Sequence, residues 1–418
     1  MISSLFAYIH KLKSFRGQQL LVFWLLTAFV AVTWISWHSS SGDDLSSSYF
    51  ACRLMAKGNQ DAIYSHDAKR FPIVRKPAWF SEAHDVGFKG FLHPYVQIPL
   101  FAASLRPLCM SMSFDAFNCL FVLINAISIA GMVWLSMKVL FPSVVSPLPI
   151  LGILLWLWFS NPFQYTMHLT QTHPIILLAT LGALILAERK MEFLSGFLLA
   201  CAVIIKITPV LLLVYWAINR KWKSIVWFLL AFIGFLLTSL ALAGTALNFA
   251  FLSELKRISN VLLVSWNNQS FAAFVMGYYY PSEVKDWFVL PLPSWLKLAG
   301  TCMALCTIAL AGWLRRLGAE EGATVSIALI GMTIFASIAW SHYYILLIVP
   351  IAYLIKRAAT LPMIWIIIAV LVLMTLDEPR NLLRPFFIAG LIALFSCVAM
   401  SFLDIIKKQR LEPVKVSV

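Results

Sequence analysis

Charged residues are scarce in this sequence. Asp, Glu, Lys and Arg make up only 12% of the 418 residues, whereas 61% are hydrophobic and the mean hydropathy is +0.85. This balance lies far from that of a soluble globular protein. Apolar runs recur along the whole length, which leaves no room for a separate soluble domain of any size. The composition therefore predicts a single polytopic integral membrane protein.

About twelve apolar runs are long enough to cross roughly 30 Å of hydrocarbon, if short or tilted helices are allowed. They lie near 19–38, 114–137, 146–160, 174–188, 192–205, 207–219, 223–245, 294–314, 323–340, 343–355, 359–376 and 385–406. The first run is long and ends in aromatic residues, so we interpret it as a retained span rather than a cleavable signal peptide. The predicted fold class is an all-α bundle of about twelve transmembrane helices.

Lys and Arg cluster at alternate connections between these runs. The clusters are Lys11, Lys13 and Arg16; Lys138; Arg189 and Lys190; Arg220, Lys221 and Lys223; Arg315 and Arg316; Lys356 and Arg357; and Lys407, Lys408 and Arg410. All of them fall on the cytoplasmic side if both termini are cytoplasmic, as the positive-inside rule favours. We therefore predict this orientation in the cell (inner) membrane.

This orientation requires that the apolar stretch Phe91–Met110 does not cross the membrane. Pro94, Pro99, Arg106 and Pro107 divide the stretch into pieces shorter than a span. Such pieces are typical of a re-entrant or interfacial element. We therefore place the stretch in a long outer loop that packs on the membrane.

The predicted domain organisation follows from these spans. It comprises a basic cytoplasmic tail over 1–18, one transmembrane catalytic domain over 19–406 with outer loops at 39–113 and 248–293, and a basic cytoplasmic tail over 407–418. The net charge of +14 indicates anionic membrane lipids as partners and not nucleic acid, because the basic clusters lie between apolar runs. The seven Cys show no metal-ligand spacing, and whether Cys52 pairs with Cys109 in the first outer loop stays open.

Acidic residues are absent from the middle of every predicted span, although a proton- or ion-coupled carrier usually needs them there. Polar residues gather instead at the predicted outer ends. They include Asp43 and Asp44 after the first span, "MHLTQTHP" (167–174), "IIKITP" (204–209), "WNNQS" (266–270) and "AWSHYY" (339–344). Seven of the eight His are also predicted near this side, namely His38, His66, His84, His93, His168, His173 and His342.

Together these clusters predict one pocket at the outer leaflet that contains a carboxylate, a cation, imidazoles, amides and aromatic rings. A carboxylate can accept the proton of an attacking hydroxyl, and Lys or protonated His can offset the charge of a departing phosphate. The inventory therefore favours sugar transfer from a lipid phosphate. An enzyme that used nucleotide sugars would have its site on the other side of the membrane.

The segment that begins with Asp43 and Asp44 is similar to a motif of glycosyltransferase family 87, within the GT-C superfamily. Asp44 and Leu45 open a run similar to the family's D-F-x-x-Y-Y segment and its following Gly-x-x-x-Y turn. The matching residues are Tyr49, Phe50, Gly58 and Tyr64. "FLHPYVQIPLFAASLRPL" resembles the family's F-x-Y-P-P-L segment, with His93 and Tyr95 in place of Tyr and the second Pro.

Four further segments resemble the family in the same order. "TQTHP" is similar to G-Q-x-N-P, with Gln171 and Pro174 retained but Thr170 in place of Gly and His173 in place of Asn. "SGFLLACAVIIKITPVLLLVYWAINRKWK" contains the family's small-residue helix, then Lys206 and Pro209. "NNQSF" matches N-Q-S at Asn268, Gln269 and Ser270, and "AWSHYYILLIVP" resembles S-W-x-H-H, with Trp340 and His342 retained and Tyr343 in place of the second His.

The resemblance implies an inverting glycosyltransferase, with a polyprenyl-phosphate-linked mannose or related sugar as donor and a lipid or glycan as acceptor. Asp44 would be the catalytic base, with Asp43 as the reserve candidate. The predicted substrate-binding residues are Lys206, His342, Gln171, Asn268 and His93. No cofactor or metal ligand is predicted, although two adjacent acids leave a divalent ion open.

Each candidate residue also has a purely structural interpretation. Asp44 can cap a helix, Lys206 can extend to the headgroups, and His342 can be an ordinary interfacial residue. Gln171 and Asn268 can be loop or helix-cap residues. For the whole chain, the alternatives are a transporter or flippase of a lipid-linked glycan, and an assembly subunit that uses its outer loop for docking.

Overall fold

The computed structural model describes residues 15–64, 74–140, 146–282, 284, 287–358, 360–376 and 383–411. His66, Lys11, Lys13 and most of the two predicted tails lie outside the described residues. The described part is overwhelmingly helical, as the hydropathy pattern predicts.

A helix overlaps each of the twelve predicted apolar runs, and further short helices lie between them. The helices are α1 (Phe15–Trp37), α2 (Asp43–Ala56), α3 (Pro77–Asp85), α4 (Pro99–Ser104), α5 (Arg106–Ser111), α6 (Phe114–Leu140), α7 (Pro147–Phe159), α8 (Asn161–His168), α9 (His173–Glu188), α10 (Glu192–Ile205), α11 (Leu212–Ile218), α12 (Trp222–Ile258), α13 (Phe271–Gly277), α14 (Ser294–Arg316), α15 (Glu321–Ile334), α16 (Ile348–Lys356), α17 (Leu361–Thr375) and α18 (Pro385–Leu411). Short 3₁₀ turns lie at Gln60–Ala62, Thr208–Leu211 and Ser341–Leu347.

Five described helices, α1, α6, α12, α14 and α18, are long and apolar enough to cross a membrane, or six spans if the bent pair α8 and α9 is counted as one. Six further apolar helical segments of the described chain have only 10–17 residues, if the 3₁₀ turns at Thr208–Leu211 and Ser341–Leu347 are counted with the helices that follow them. Helix α15 shows why a short helix can be stable here: from Gly322 to Ile334 every residue is buried. A helix that is apolar on all sides belongs in the centre of a bundle. The chain is thus a polytopic membrane protein, and the count of twelve spans stays a prediction.

The stretch Phe91–Met110 forms no long helix. It contains α4 and α5, each six residues long, and each has Pro in its first turn. A helix of six residues rises only about 9 Å, far less than a span requires. The prolines therefore divide the stretch as the sequence predicts, and its position relative to the membrane stays a prediction.

Two cross-links connect the helices of the segment predicted as the first outer loop. A disulfide joins Cys52 on α2 to Cys109 on α5, which answers the pairing that the sequence left open. The buried Glu82 on α3 accepts a hydrogen bond from Nε of Arg53 at 2.9 Å and pairs with Lys57. These contacts hold α2, α3 and α5 together, and α2 carries the two candidate acids.

The segment 248–293, predicted as the second outer loop, begins within a helix and contains two strands that the sequence analysis did not find. Helix α12 continues to Ile258 through a kink at Gly244, where φ is +76°. Asn248 donates hydrogen bonds across this kink to the carbonyl oxygens of Gly244 and Ser239. Beyond the helix, β1 (Val261–Val264) pairs antiparallel with β2 (Phe288–Pro291), with Val261 opposite Pro291.

Candidate active site

The acidic pair lies at the start of helix α2. The turn into this helix passes through Gly42 at a φ of +60°, and a Cβ there would lie 2.4 Å from Oδ1 of Asn118 on α6. Asn118 also donates to the carbonyl oxygen of Ser40 at 2.9 Å, so this turn is held tightly against α6. The residue before α2 makes no side-chain cap hydrogen bond. Asp44 does not occupy the N-cap position, and its carboxylate in the first turn is favoured by the helix dipole.

Asp44 contacts a histidine from the stretch that precedes α4. Nε2 of His93 lies 3.1 Å from Oδ1 of Asp44, and each side chain is 19% exposed. Burial raises the pKa of Asp44 above the ordinary carboxyl value, while the charge of His93 acts to lower it. The contact orients the Asp44 carboxylate and favours its ionised form, as a general base requires.

Asp43 faces a different partner. Its Oδ1 accepts a hydrogen bond from the backbone N–H of Phe91 at 3.2 Å. The approach depends on Gly90, because a Cβ at that position would lie 2.4 Å from the same oxygen. The Asp43 hydrogen bond therefore connects α2 to the stretch that carries His93. Asp44 contacts that histidine.

Lys206 lies where helix α10 ends. Its backbone is extended, with φ −150° and ψ 126°, and a 3₁₀ turn that contains Pro209 begins two residues later at Thr208. The Nζ atom of Lys206 lies 3.0 Å from the centroid of the Tyr343 ring. A cation over an aromatic face is attracted by the ring, so this contact fixes the position of the ammonium group.

Two histidines contact the same tyrosine. The ring of His173, at the start of α9, stacks on Tyr343 with centroids 4.3 Å apart and an interplanar angle of 21°. The ring of His342 meets Tyr343 edge-on at 4.7 Å. His173 and Tyr343 are two of the positions at which the sequence departs from the family motifs, and the structure places them in direct contact.

One cavity of about 950 Å³ brings most of these side chains together. Five of the six candidate site residues line it, namely Asp44, His93, Gln171, Lys206 and His342. Further lining residues that the sequence analysis did not select as ligands are Asp43, His173, Asn267, Trp287, Trp340 and Tyr343. Isoleucine and leucine side chains from α10, α12 and α14 cover another part of its wall.

Asn268 does not line this cavity. It is fully buried, donates to the carbonyl oxygen of Leu263 at 2.9 Å and accepts from the N–H of Ala339 at 2.9 Å. The neighbouring Asn267 accepts from the N–H of Ser341 through its carbonyl oxygen at 3.1 Å. Asn268 thus joins "WNNQS" to "AWSHYY", and Asn267 is the amide at the cavity wall.

Two adjacent acids, Asp43 and Asp44, line the cavity. No group of three or more His, Cys, Asp and Glu side chains with metal-binding geometry occurs in the part of the chain that the structure describes. Asp43 and Asp44 have separate partners, Phe91 and His93.

The sequence signal for the missed residues was weak. His173 and Tyr343 stand at positions where the resemblance expects other residue types, and Trp287 lies in a segment without a motif. Aromatic residues at an outer face are ordinarily interfacial. Only the tertiary arrangement shows that Trp287 and Trp340 both line the cavity, with their ring centroids 6.0 Å apart.

Comparison with known proteins identifies the family of the chain. The comparison with curated proteins gives no match. The family model described as glycosyltransferase family 87 matches residues 95–341, which is more than half of the chain. His93 and His342 lie just outside these limits, and Asp44 lies well before them. The cavity joins all three to Gln171 and Lys206 within the matched range. The chain therefore belongs to glycosyltransferase family 87.

Proposed function

We propose that this glycosyltransferase is a hexosyltransferase that moves mannose or a related sugar from a polyprenyl-phosphate donor to a lipid or glycan hydroxyl. The observation that carries the proposal is the meeting of the Asp44 carboxylate and the Lys206 ammonium in one cavity. In a transfer of this type the acceptor oxygen loses its proton, and negative charge develops on the departing phosphate. The cavity supplies one group for each.

The reaction is a single in-line displacement. The acceptor hydroxyl oxygen attacks the anomeric carbon of the sugar, and its proton passes to the Asp44 carboxylate. The new carbon–oxygen bond forms as the bond from the anomeric carbon to the phosphate oxygen breaks, and the electron pair leaves with the polyprenyl phosphate. Attack on the face opposite the leaving group inverts the anomeric configuration.

The remaining side chains position the reactants. His93 orients Asp44 through the 3.1 Å contact, and Lys206 and His342 face the leaving phosphate. Gln171, Asn267 and the two tryptophans supply amide and aromatic contacts for a sugar ring. The apolar part of the wall suits the isoprenoid chain, because burying hydrocarbon there removes it from water.

Two observations support an active site on the outer face of the cell membrane. The loop that carries Asp44 contains the Cys52–Cys109 disulfide, and disulfides persist in oxidising compartments. The short basic connections between the predicted spans fall on the opposite side in the orientation with cytoplasmic termini. Membrane lipids would then reach the cavity from the outer leaflet.

The proposal is tested with the purified full chain in proteoliposomes. Radiolabelled polyprenyl-phosphate mannose is supplied with lipids extracted from the native membrane as acceptors. We expect the label to appear in a lipid or glycan product with an inverted anomeric linkage. Transfer from a nucleotide sugar, with none from the polyprenyl-phosphate donor, would contradict the proposal.

A further inference from the structure

His173 is a polar side chain inside the cavity that the reaction described above does not use. Its exposed fraction is only 4%, and it lines the cavity at the first residue of α9. Within the described residues, neither of its ring nitrogens has a hydrogen-bond partner. Burying a polar group without a hydrogen-bond partner costs free energy. If His173 only filled space, an apolar side chain would therefore serve equally well at this position.

Tyr343 determines where this imidazole lies. The two rings are nearly parallel, with centroids 4.3 Å apart, and Nζ of Lys206 lies 3.0 Å from the centroid of the same tyrosine ring. One aromatic ring therefore contacts both an imidazole and an ammonium group. Both of these groups can donate hydrogen bonds, and both face the cavity.

We infer that His173 is a further phosphate-binding residue, which donates an imidazole N–H to the lipid phosphate of the donor while Tyr343 positions both His173 and Lys206. The inference rests on the proposed function, because it assigns a residue to the phosphate of that donor. A neutral imidazole carries one N–H, so no change of its charge is needed. A hydrogen bond to an anionic phosphate oxygen is stronger than one between neutral groups, and it strengthens as the phosphate departs with added charge.

The test measures binding of polyprenyl phosphate and of unphosphorylated polyprenol to the purified full chain. His173→Phe keeps an aromatic ring for stacking on Tyr343 but has no N–H. We expect this variant to bind polyprenyl phosphate about ten-fold more weakly or worse, and polyprenol as the wild type does. His168→Gln is the matched control, because this exposed histidine belongs to the same turn and does not line the cavity. It should bind both lipids normally.

The role of Tyr343 is tested by two substitutions. Tyr343→Phe keeps the ring and should bind polyprenyl phosphate like the wild type. Tyr343→Leu removes the ring that holds His173 and Lys206, so its affinity for polyprenyl phosphate should fall while that for polyprenol is kept. Rescue by Phe separates positioning by the ring from any role of the phenol hydroxyl.

Two results would overturn the inference. One is normal binding of polyprenyl phosphate by His173→Phe. The other is an equal loss of affinity for both lipids, which would mean that His173 only maintains the fold. In either case, transfer by the wild-type protein from polyprenyl-phosphate mannose would leave the proposed function standing. If the wild type neither binds polyprenyl phosphate nor uses the donor, both the inference and the proposed function are wrong.

Discussion

Nε2 of His93 lies 3.1 Å from Oδ1 of Asp44, and this contact joins the start of α2 to the stretch before α4. The two residues are brought together by the neighbouring contact between Asp43 and the N–H of Phe91. Both side chains are partly open to the cavity. The imidazole of His93 therefore orients the carboxylate of Asp44.

Replacing His93 should move the pH dependence of the transfer. Burial raises the pKa of Asp44, and His93 opposes this effect, so His93→Gln should raise that pKa further. A base acts only when it is deprotonated, so activity is lost as the pH falls through its pKa. The acid limb of kcat/KM should therefore shift to higher pH in His93→Gln. An acid limb that coincides with that of the exposed-histidine control His84→Gln would contradict this role.

Gly90→Ala should weaken the attachment of α2. The added Cβ would lie 2.4 Å from Oδ1 of Asp43 and 2.6 Å from Cζ of Phe88. Overpacking of this kind typically costs about 1–3 kcal/mol, and here it breaks the Asp43 contact to Phe91. We expect a lower melting temperature and slower transfer. Gly152→Ala on α7 is the control, because nothing lies within 4 Å of its added Cβ, and an equal effect of the two variants would argue against the proposed contact.

Removing the disulfide should loosen the first outer loop. Cys52 and Cys109 are 57 residues apart in sequence, and closing a loop of this size typically stabilises a fold by about 2–4 kcal/mol. Cys52→Ser should lower the melting temperature and speed proteolysis of the loop. Cys302→Ser, a free and exposed cysteine on α14, should change neither. Identical melting curves for the wild type and Cys52→Ser would contradict a structural role of the disulfide.

Single cysteines can test the orientation of the chain. In a background that retains only Cys52 and Cys109, Lys89→Cys in the first outer loop should react with a membrane-impermeant maleimide on intact cells. Lys223→Cys at the start of α12 should react only after the membrane is opened. Both lysines are exposed, so access to each is not limited by burial. The reverse labelling pattern would place the cavity on the cytoplasmic side.

The sequence predicts the helices well because their signal is local. An apolar run such as 192–205 coincides with helix α10, since in lipid or in a bundle core the backbone must satisfy its own hydrogen bonds. The extension of α12 past Gly244 was missed, because the hydrogen bonds of Asn248 across the kink depend on the folded geometry. The pairing of β1 with β2 was missed for a similar reason, since the two strands are far apart in sequence.

The candidate site was predicted in outline, and its details depend on tertiary contacts. Residue chemistry and motif order identified Asp44, Lys206 and His342, which line one cavity. The same reasoning selected Asn268, but only the folded chain shows that its amide is fully used in joining two segments. Local backbone geometry decides whether Asn267 or Asn268 faces the cavity. The sequence pattern does not reveal this geometry.

The most direct test compares Asp44→Asn with Asp43→Asn in the transfer assay from polyprenyl-phosphate mannose. Asn has nearly the shape of Asp but is not a base, so Asp44→Asn should fold normally and lose at least about a hundred-fold in rate. In Asp43→Asn the amide oxygen can still accept the Phe91 N–H, so the rate should stay within about ten-fold of the wild type. A wild-type rate for folded Asp44→Asn, or a larger loss in Asp43→Asn, would contradict the assignment of Asp44 as the base.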